Sequence, residues 1–586
     1  MTNFYNKIKS TLNTFNPRQI LFLFIILCIF LISLLSLIYL IHKKTLIHVP
    51  KYGGEIHEGI IGSPRFINPL LSLSQSDEDL TNLIYSGLLR EDIATGEFIN
   101  DLAEKYEVSL DGLSYTFTLK NNIYFHDGEP VTADDVIFTV DLTKDENLKS
   151  PKKIEWEGIH AEKIDNKTVK FTLKQPFSNF LASNTLGILP KHVWNKLPIT
   201  YVNFSDYNIS PIGSGPFKIE SVEKKEGIPS IFKLKSFDKF ALGAPYIKYF
   251  YIHVYGNKEE LLKALEKKEI NQVAALEVDA ANKIQDLGGI RLIKNSLPRI
   301  YAVFYNTGKQ NEISSLVLRT ALDKVIDKNS IISEVIYGFG KSIDSSIPKL
   351  LFEEKKEENR TKTSLSDILK DLTKTNFQSN ADGQLEKILS KDKKGKTTST
   401  SSVYINLVTT SSIEEFKKTA EIVKTNWDTL GVNTDLKLYE TGDLQNVIKE
   451  RNYDALIYGI VIENDIDLFA FWHSSKRLQG LNLSSYVNTK IDKIIESLKN
   501  ETDKEKKKEL YQNFISEMRK DIPATFIYSP DFIYAVDRKL KTENMDYLKK
   551  PSDRFYSVYT WYTETEAIWA FIDKVTLFKK IQKLIQ

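Results

Sequence analysis

The sequence predicts an α/β protein, and two regions with different patterning support this prediction. Residues 403–460 are patterned as strand, helix, strand, helix and strand in turn, which is the order of a parallel sheet with right-handed crossovers. Residues 106–119 alternate apolar and polar side chains around an Asp111–Gly112 turn, which is typical of an antiparallel hairpin with one buried face. The 586 residues are 42% hydrophobic, so the core is large. Length alone suggests about four domains, but two large lobes fit equally well.

Composition excludes several functional classes. The net charge is only +2, from 79 basic and 77 acidic residues, which argues against a nucleic-acid partner. The single cysteine, Cys28, lies in an apolar run, so the soluble part has no disulfide, no cysteine-built zinc site and no thiol nucleophile. The eight histidines are scattered without His-Glu-x-x-His spacing, so a histidine-built metal site requires residues from distant parts of the chain. We expect no cofactor and no metal.

Residues 20–41 are uncharged and rich in Leu, Ile and Phe. As a helix this run spans about 33 Å, enough to cross a bilayer. The alternative is a cleaved signal peptide, but the run exceeds a typical signal h-region and no Ala-x-Ala-like site follows it. We therefore interpret residues 20–41 as an uncleaved transmembrane anchor. Basic residues lie on both sides, so the positive-inside rule barely decides the orientation.

The elements of the second half follow from periodicity. After the strand at 403–409, Ser412 and Glu415 form a capping-box pattern, and Gly431 ends the helix as a left-handed cap. Strands follow at 432–439 and 453–460. The helix between Ser412 and Gly431 buries an apolar stripe that consists of Ile413, Phe416, Ala420, Val423, Trp427 and Leu430.

Polar and basic segments complete the chain. Residues 353–362 and 391–402 read as solvated loops on either side of a short helix at 365–372. A capped helix is predicted over 500–523, with Thr502 and Glu505 as its capping box. Residues 564–586 are predicted to contain a basic amphipathic helix, which either packs on the body or contacts a membrane surface.

Several motifs occur in a fixed order. Residues 123–136 are predicted to form a strand, an Asp127–Gly128 turn and a helix start, where Thr132 and Asp135 make a capping-box-like pair. Residues 211–217 (Pro-Ile-Gly-Ser-Gly-Pro-Phe) lack the Gly-Lys-Ser/Thr ending of a phosphate loop, so we interpret their glycines as structural. Three further motifs lie along the same part of the chain, at residues 188–194, 301–307 and 318–332.

Together these segments resemble solute-binding protein family 5, the oligopeptide, dipeptide and nickel receptors of bacterial ABC importers. The resemblance covers roughly residues 52–563 and implies a two-lobed periplasmic-binding-protein type II fold. The resemblance implies lobe I at 51–297 with a β-rich subdomain at about 86–204, lobe II at 300–524 and a lobe I return at 526–563. It also implies that the segment 1–19, before the anchor 20–41, is cytoplasmic. The C-terminal helix 564–586 lies beyond the resemblance. The body then faces outside, in the periplasm or at the cell surface.

The ligand-binding hypothesis rests on residues 458–469. This segment starts at the end of a predicted parallel strand, the edge at which open α/β sheets bind ligands, and it holds the acids Glu463, Asp465 and Asp467. In peptide-binding members of the family, this loop supplies main-chain contacts and an aspartate that pairs with the peptide α-amino group. The resemblance gives that role to Glu463. The expected ligand-binding residues are Gly459, Ile460, Val461, Glu463 and Tyr528.

Two departures from the family pattern leave the ligand class open. Ile460 replaces a tryptophan, and Asp465–Ile466 replaces an Asp-Pro pair. The longer Glu463 side chain can still pair with an ammonium, also through water. The alternative interpretation is an acidic surface turn.

The resemblance implies a membrane-anchored receptor that binds short peptides between its lobes and passes them to the permease and ATPase subunits of an ABC importer. We expect it to be a monomer. The alternatives are binding of a nickel chelate, or ligand sensing without transport. A membrane-anchored peptidase is disfavoured, because the sequence has no recognisable nucleophile–base or metal constellation and His192 has no catalytic partner. We therefore expect no catalytic residues.

Overall fold

The computed structural model describes residues 16–349, 351–352 and 363–569. These residues belong to two compact units, one from Gly53 to Trp561 and a smaller one that combines the described residues before Gly53 with those after Trp561. The predictions for residues 1–15, 353–362 and 570–586 concern residues outside those described.

The described residues form 23 strands, named β1 to β23 in chain order. They are Leu46–Pro50, Glu55–Ile61, Leu89–Glu91, Phe98–Asn100, Ala103–Val108, Ser114–Leu119, His160–Lys163, Thr168–Thr172, Phe217–Lys225, Ile228–Ser236, Tyr249–Tyr255, Gln272–Val273, Ile290–Ser296, Arg299–Tyr305, Gly340–Ser342, Phe377–Ser379, Leu385–Lys391, Thr397–Ser402, Tyr404–Thr410, Asn433–Tyr439, Ala455–Val461, Ala524–Asp537 and Thr565–Trp569.

The same residues form 16 α-helices, α1 to α16. They are Pro17–Thr45, Gln75–Ile84, Ala133–Lys144, Lys153–Trp156, Phe180–Ser183, Lys191–Trp194, Lys258–Glu266, Val278–Ile284, Leu316–Val325, Lys328–Val335, Leu365–Thr373, Glu414–Asp428, Thr441–Glu450, Asp465–Trp472, Thr489–Asn500 and Lys504–Asp521. A 3₁₀ helix at Pro551–Thr560 also bears on the site.

The smaller unit contains one apolar helix and a two-stranded sheet. Within α1, Pro17–Leu37 has a mean hydropathy of 3.2 and is not buried, so it has the length and composition of a membrane span. β1 pairs antiparallel with β23, and Lys51 Nζ lies 2.9 Å from Glu564 Oε2. The helix predicted for 564–586 is therefore wrong at its start, because residues 565–569 find backbone partners on the edge of β1.

One large sheet runs through the larger unit, in the order β20-β19-β21-β14-β22-β12-β2-β11-β10-β9. The long strand β22 changes partner along its length: its first half pairs with β14 and its second half pairs with β13. The chain thus crosses between the halves of the sheet near residues 297–298 and 529–530. The lobe boundaries stay a prediction, because Gly53–Trp561 forms a single compact unit.

The predicted parallel motif is confirmed. β19 pairs in parallel with both β20 and β21, and α12 buries Phe416, Ala420, Val423 and Trp427. Gly431 follows the helix with φ +79°.

Two details of the predicted caps are wrong. Ile413 is 40% exposed because it is the N-cap residue of α12, and the Ser412 hydroxyl bonds Glu440 (3.0 Å) instead of capping that helix. The Asp503 carboxylate, not Thr502, caps α16 by accepting from two backbone N–H groups.

The β-rich region has its own core. The predicted hairpin is β5 and β6, which join β8 and β7 in a four-stranded sheet. The start of α3 is capped as predicted, since the Asp135 carboxylate accepts from the backbone N–H (2.9 Å) and the hydroxyl (2.8 Å) of Thr132.

The glycines of residues 211–217 are structural, as predicted. A Cβ on Gly213 would lie 2.1 Å from the Ile84 carbonyl oxygen, and one on Gly215 would lie 2.6 Å from the Ile84 carbonyl carbon. The buried His126 ring bonds the same loop through the Gly215 carbonyl at 3.1 Å. The close approach fixes the end of α2, one wall of the candidate site.

Candidate functional site: a polar cleft

A polar cleft of about 190 Å³ lies between α2, residues 179–187, the segment 549–556 and the two residues Glu463 and Asn464. Ligand pockets typically have about 300–1,000 Å³. A ligand longer than a few atoms must therefore extend beyond this cavity or widen it. Carboxylates and amines line the cleft together, so it suits a ligand that carries both charges.

A buried ion cluster holds two walls of the cleft together. The Arg554 guanidinium lies 2.6 Å from Glu58 Oε1 and 2.8 Å from Asp79 Oδ2, and all three side chains are buried. Asp79 belongs to α2 and Arg554 to the 3₁₀ helix at Pro551–Thr560. Removing one member of such a cluster leaves buried charge uncompensated, so we infer that Arg554 fixes the cleft walls relative to each other.

Three lysines line the cleft, and two of them, Lys549 and Lys550, lie next to each other in the segment 549–556. Lys549 Nζ lies 2.8 Å from Glu91 Oε2, and Lys550 Nζ lies 3.0 Å from Glu78 Oε1. Burial opposes the charge on Lys550, but the carboxylates of Glu78 and Glu463 outweigh it and raise its pKa to about 12. The Lys550 amine therefore stays charged at neutral pH.

Asp553 orders the backbone that carries these lysines. Its carboxylate accepts hydrogen bonds from the backbone N–H groups of Lys549 (3.1 Å) and Lys550 (2.8 Å). Burial, with the nearby Glu91 carboxylate, raises the pKa of Asp553 to about 7.

The three acids after β21 have different roles. The Asp467 carboxylate accepts from the backbone N–H groups of Glu463 (2.8 Å) and Asn464 (3.1 Å), so it caps α14. Asp465 is buried and bonds Lys507 Nζ (2.5 Å), the Tyr511 hydroxyl and Ser178 Oγ (3.2 Å). Both of these acids are committed to internal partners.

Glu463 differs from the other two acids. Its side chain lines the cleft, and its carboxylate makes no hydrogen bond to the part of the chain that the structure describes. Burial raises its pKa, and the charges of Lys550 and Lys549 only partly offset this rise. A shielded carboxylate without a bonded cation is suited to receive a cationic donor from a ligand.

The other predicted site residues lie elsewhere. The last part of strand β21 consists of Gly459, Ile460 and Val461. These residues pair with β14 along one edge of the strand. Among the described residues, β21 pairs with β19 only at Ala455 and Leu456, so the second edge of residues 459–461 has no strand partner.

Two of these side chains are in the core. Ile460 is 2% exposed within the core of the β14–β21 half, and Tyr528 is fully buried against Tyr301, with ring centroids 5.0 Å apart. The side chain of Tyr528 thus lies in the core, because β22 is an interior strand, and it is not among the residues that line the cleft.

Sequence reasoning missed the residues that face Glu463. Glu78, Lys549 and Lys550 belong to no recognised motif, and they meet only because α2 and the segment 549–556 pack together. The sequence did contain a signal for the two lysines. Residues 549–553 read Lys-Lys-Pro-Ser-Asp, a pattern typical of a helix start, and the lysines immediately precede that start.

Comparison with known proteins decides the family. The model of bacterial extracellular solute-binding proteins, family 5, matches residues 97–478. The chain belongs to this family. It is 28% identical over 536 residues to the oligopeptide-binding protein AppA of Bacillus subtilis, covering 88% of this chain and 92% of that protein. It is 25% identical to the dipeptide-binding protein of Escherichia coli, over 83% of this chain and 92% of that protein.

Solved structures of family members share the fold. The AppA structure of Bacillus subtilis in complex with a nonapeptide superposes with a TM-score of 0.62 at 25% identity, covering 88% of this chain and 100% of that one. NikZ of Campylobacter jejuni in complex with Ni(L-His) gives 0.65 at 23% identity, covering 87% and 99%. Family 5 proteins are extracytoplasmic substrate-binding proteins, so this chain has a substrate-binding role and the two-lobed α/β fold.

Proposed function

We propose that this protein is a membrane-anchored extracytoplasmic receptor that binds short peptides and delivers them to the permease of an ABC importer. The observation that carries the proposal is the Glu463 carboxylate, which faces the cleft without a hydrogen-bond partner in the described chain. An α-ammonium group supplies the missing donor, and the amines of Lys549 and Lys550 attract the carboxyl end or carbonyl oxygens of the same ligand.

The main chain supports the same ligand class. The unpaired edge of residues 459–461 can accept an extended peptide as an added strand, a mode in which backbone bonds give affinity without reading side chains. Broad selectivity for peptide sequence follows from this mode. The relatives named for oligopeptide and dipeptide binding agree with it.

A nickel chelate is the second candidate ligand. It is favoured by the likeness to a structure that holds Ni(L-His). Within the described residues, however, no group of three or more His, Cys, Asp or Glu side chains could hold a metal ion. A chelate in this cleft would depend on its organic ligand for recognition.

A binding screen tests the ligand class. Full-length protein in detergent is heated with di- to octapeptides, with Ni(L-His) and with buffer alone. A peptide at 100 times its dissociation constant is expected to stabilise the fold by about 2.7 kcal/mol. Stabilisation by Ni(L-His) and by no peptide would overturn the peptide proposal, and release of hydrolysis products would favour a peptidase.

The anchor has a separate test. The span Pro17–Leu37 motivates retention of the N-terminal helix in the mature protein. We expect the intact mass of membrane-extracted protein to include residues 1–41. A mature chain that begins beyond residue 41 would show a cleaved signal, and digestion of the body by protease from the cytoplasmic side would contradict the orientation.

A further inference from the structure

Two histidines meet on the solvent face of the large sheet, away from the cleft. His57 lies on β2 and His253 on the neighbouring parallel strand β11, where His57 is level with Tyr251 and His253 is level with Gly59. His57 Nδ1 and His253 Nε2 are 3.0 Å apart. None of the residues that line the cleft belongs to either strand.

The surroundings hold the His57 ring in one orientation. The ring stacks on Tyr251 with centroids 4.5 Å apart and planes 3° from parallel. Its second nitrogen, Nε2, lies 3.4 Å from Glu55 Oε1. A carboxylate at this position favours the tautomer with hydrogen on Nε2, which leaves Nδ1, the nitrogen on the His253 side, without a hydrogen and able to bind a metal ion.

This arrangement has the parts of a histidine metal site. Metal-bound histidines usually donate their other ring N–H to a carboxylate or carbonyl. The Glu55 carboxylate, 3.4 Å from Nε2 of His57, is placed for this role. The His57 side chain is 29% exposed, so a hydrated ion can reach the pair from solvent. Both rings lie on paired strands of a buried sheet, which restricts their spacing.

The 3.0 Å spacing, which is that of a hydrogen bond between the rings, is also compatible with both nitrogens binding one ion. Two nitrogens that each lie about 2.1 Å from one ion are about 3.0 Å apart when they subtend a right angle, and about 3.4 Å apart at a tetrahedral angle. Right angles between nitrogen ligands are typical of tetragonal Cu²⁺ and Ni²⁺, whereas zinc sites are tetrahedral. Affinity for divalent ions also peaks at Cu²⁺ in the Irving–Williams order.

We propose that His57 and His253 form a surface site for a divalent metal ion with tetragonal coordination. Among such ions, Cu²⁺ binds most tightly. Two imidazole nitrogens bind the ion in adjacent positions, and water fills the remaining ones. Before binding, the hydrogen between the rings is on Nε2 of His253. On binding, that proton passes to water and Nδ1 of the same ring takes up a proton from water, so His253 stays neutral and both facing nitrogens bind the ion. The site is independent of the peptide proposal, because it shares no residue with the cleft.

The test uses full-length protein purified in detergent without a polyhistidine tag and stripped with EDTA. CuCl₂ is added in a buffer that does not bind copper, and binding is followed by calorimetry and electron paramagnetic resonance. The expected result is one tight equivalent of Cu²⁺ whose spectrum reports two imidazole nitrogens. NiCl₂ and ZnCl₂ are expected to bind at least tenfold more weakly.

Three variants locate the site. His57→Gln and His253→Gln should each weaken Cu²⁺ binding at least tenfold, whereas His160→Gln, an exposed histidine on β7, should bind like the wild type. Unfolding temperatures measured in EDTA check that each variant is folded. Unchanged Cu²⁺ affinity in either folded variant would overturn the proposal. If a variant does not fold, a wild-type spectrum with fewer than two nitrogens overturns it, and one with two supports it.

Discussion

Replacing Glu463 by glutamine tests the role of the unbonded carboxylate in the cleft. The change keeps size and hydrogen-bonding capacity but removes the charge. Two unit charges 4 Å apart at an effective dielectric of 20 attract by about 4 kcal/mol. The retained lysines and partial solvent access reduce this, so we expect a loss of about 2–4 kcal/mol in peptide binding, or roughly 30- to 1,000-fold.

The assay is calorimetry on a four-way cycle. Wild type and Glu463→Gln are each titrated with a free peptide and with its N-acetylated form, which lacks the ammonium. The coupling energy from the cycle isolates the pair. Acetylation should weaken binding to the wild type but change binding to the variant little. Glu450→Gln, on the exposed face of α13, is the matched control and should bind like the wild type.

The pH dependence of binding gives a second reading of the same group. Because burial raises the pKa of Glu463, its carboxylate begins to protonate at a higher pH than an ordinary glutamate. Peptide affinity of the wild type should fall on acidification, while that of Glu463→Gln should stay nearly flat. A coupling energy near zero, with acetylated and free peptides bound equally, would refute the reasoning and return Glu463 to an acidic surface turn.

Three further predictions concern the framework of the cleft. Arg554→Met should lower the free energy of unfolding by about 3–5 kcal/mol in urea denaturation, because it leaves the buried carboxylates without a cation. A loss below about 1 kcal/mol would contradict the inference that Arg554 fixes the walls of the cleft. Gly213→Ala should destabilise by about 2 kcal/mol or more through its clash with Ile84, whereas Gly442→Ala, with open space at its Cβ, should be neutral or stabilising; equal effects would contradict the packing argument. Asp553 has a folded pKa of about 7, above its ordinary value, so its stabilising contribution is present at pH 4 and lost as the pH rises through 7. The stability of the wild type relative to Asp553→Asn should therefore fall over that range, and a constant difference between the two would show that the carboxyl is not held protonated.

Local patterning predicted the parts of the fold that depend on local forces. The strand–helix–strand order of residues 403–460 was recoverable because the apolar period of α12 and the left-handed cap at Gly431 are both short-range signals. The position of Glu463 was also recoverable, since it follows directly from the end of β21. The sequence could not show which of the three acids lacks a hydrogen-bond partner. The partners of Asp465, Lys507 and Tyr511, are more than forty residues away from it along the chain.

The rest of the site depends on packing between distant segments. Arg554 meets Asp79 across 475 residues and Lys550 meets Glu78 across 472, and neither pair has a sequence spacing that marks it. Tyr528 was among the expected ligand-binding residues, but it lies on β22, an interior strand of the sheet, and its ring is buried in the core. Likewise, strand β23 forms because β1 offers it an edge, which periodicity within 564–586 cannot reveal.

The central claim is that this family 5 protein carries peptides in its cleft, and native mass spectrometry tests it most directly. Full-length protein is purified gently from the membranes of its own cell, and its mass is compared before and after denaturation. We predict that the ligands released on denaturation are peptides of about two to eight residues, and that added free peptide displaces them. Release of a nickel-containing small molecule, or a cleft that neither retains nor takes up any peptide, would contradict the account.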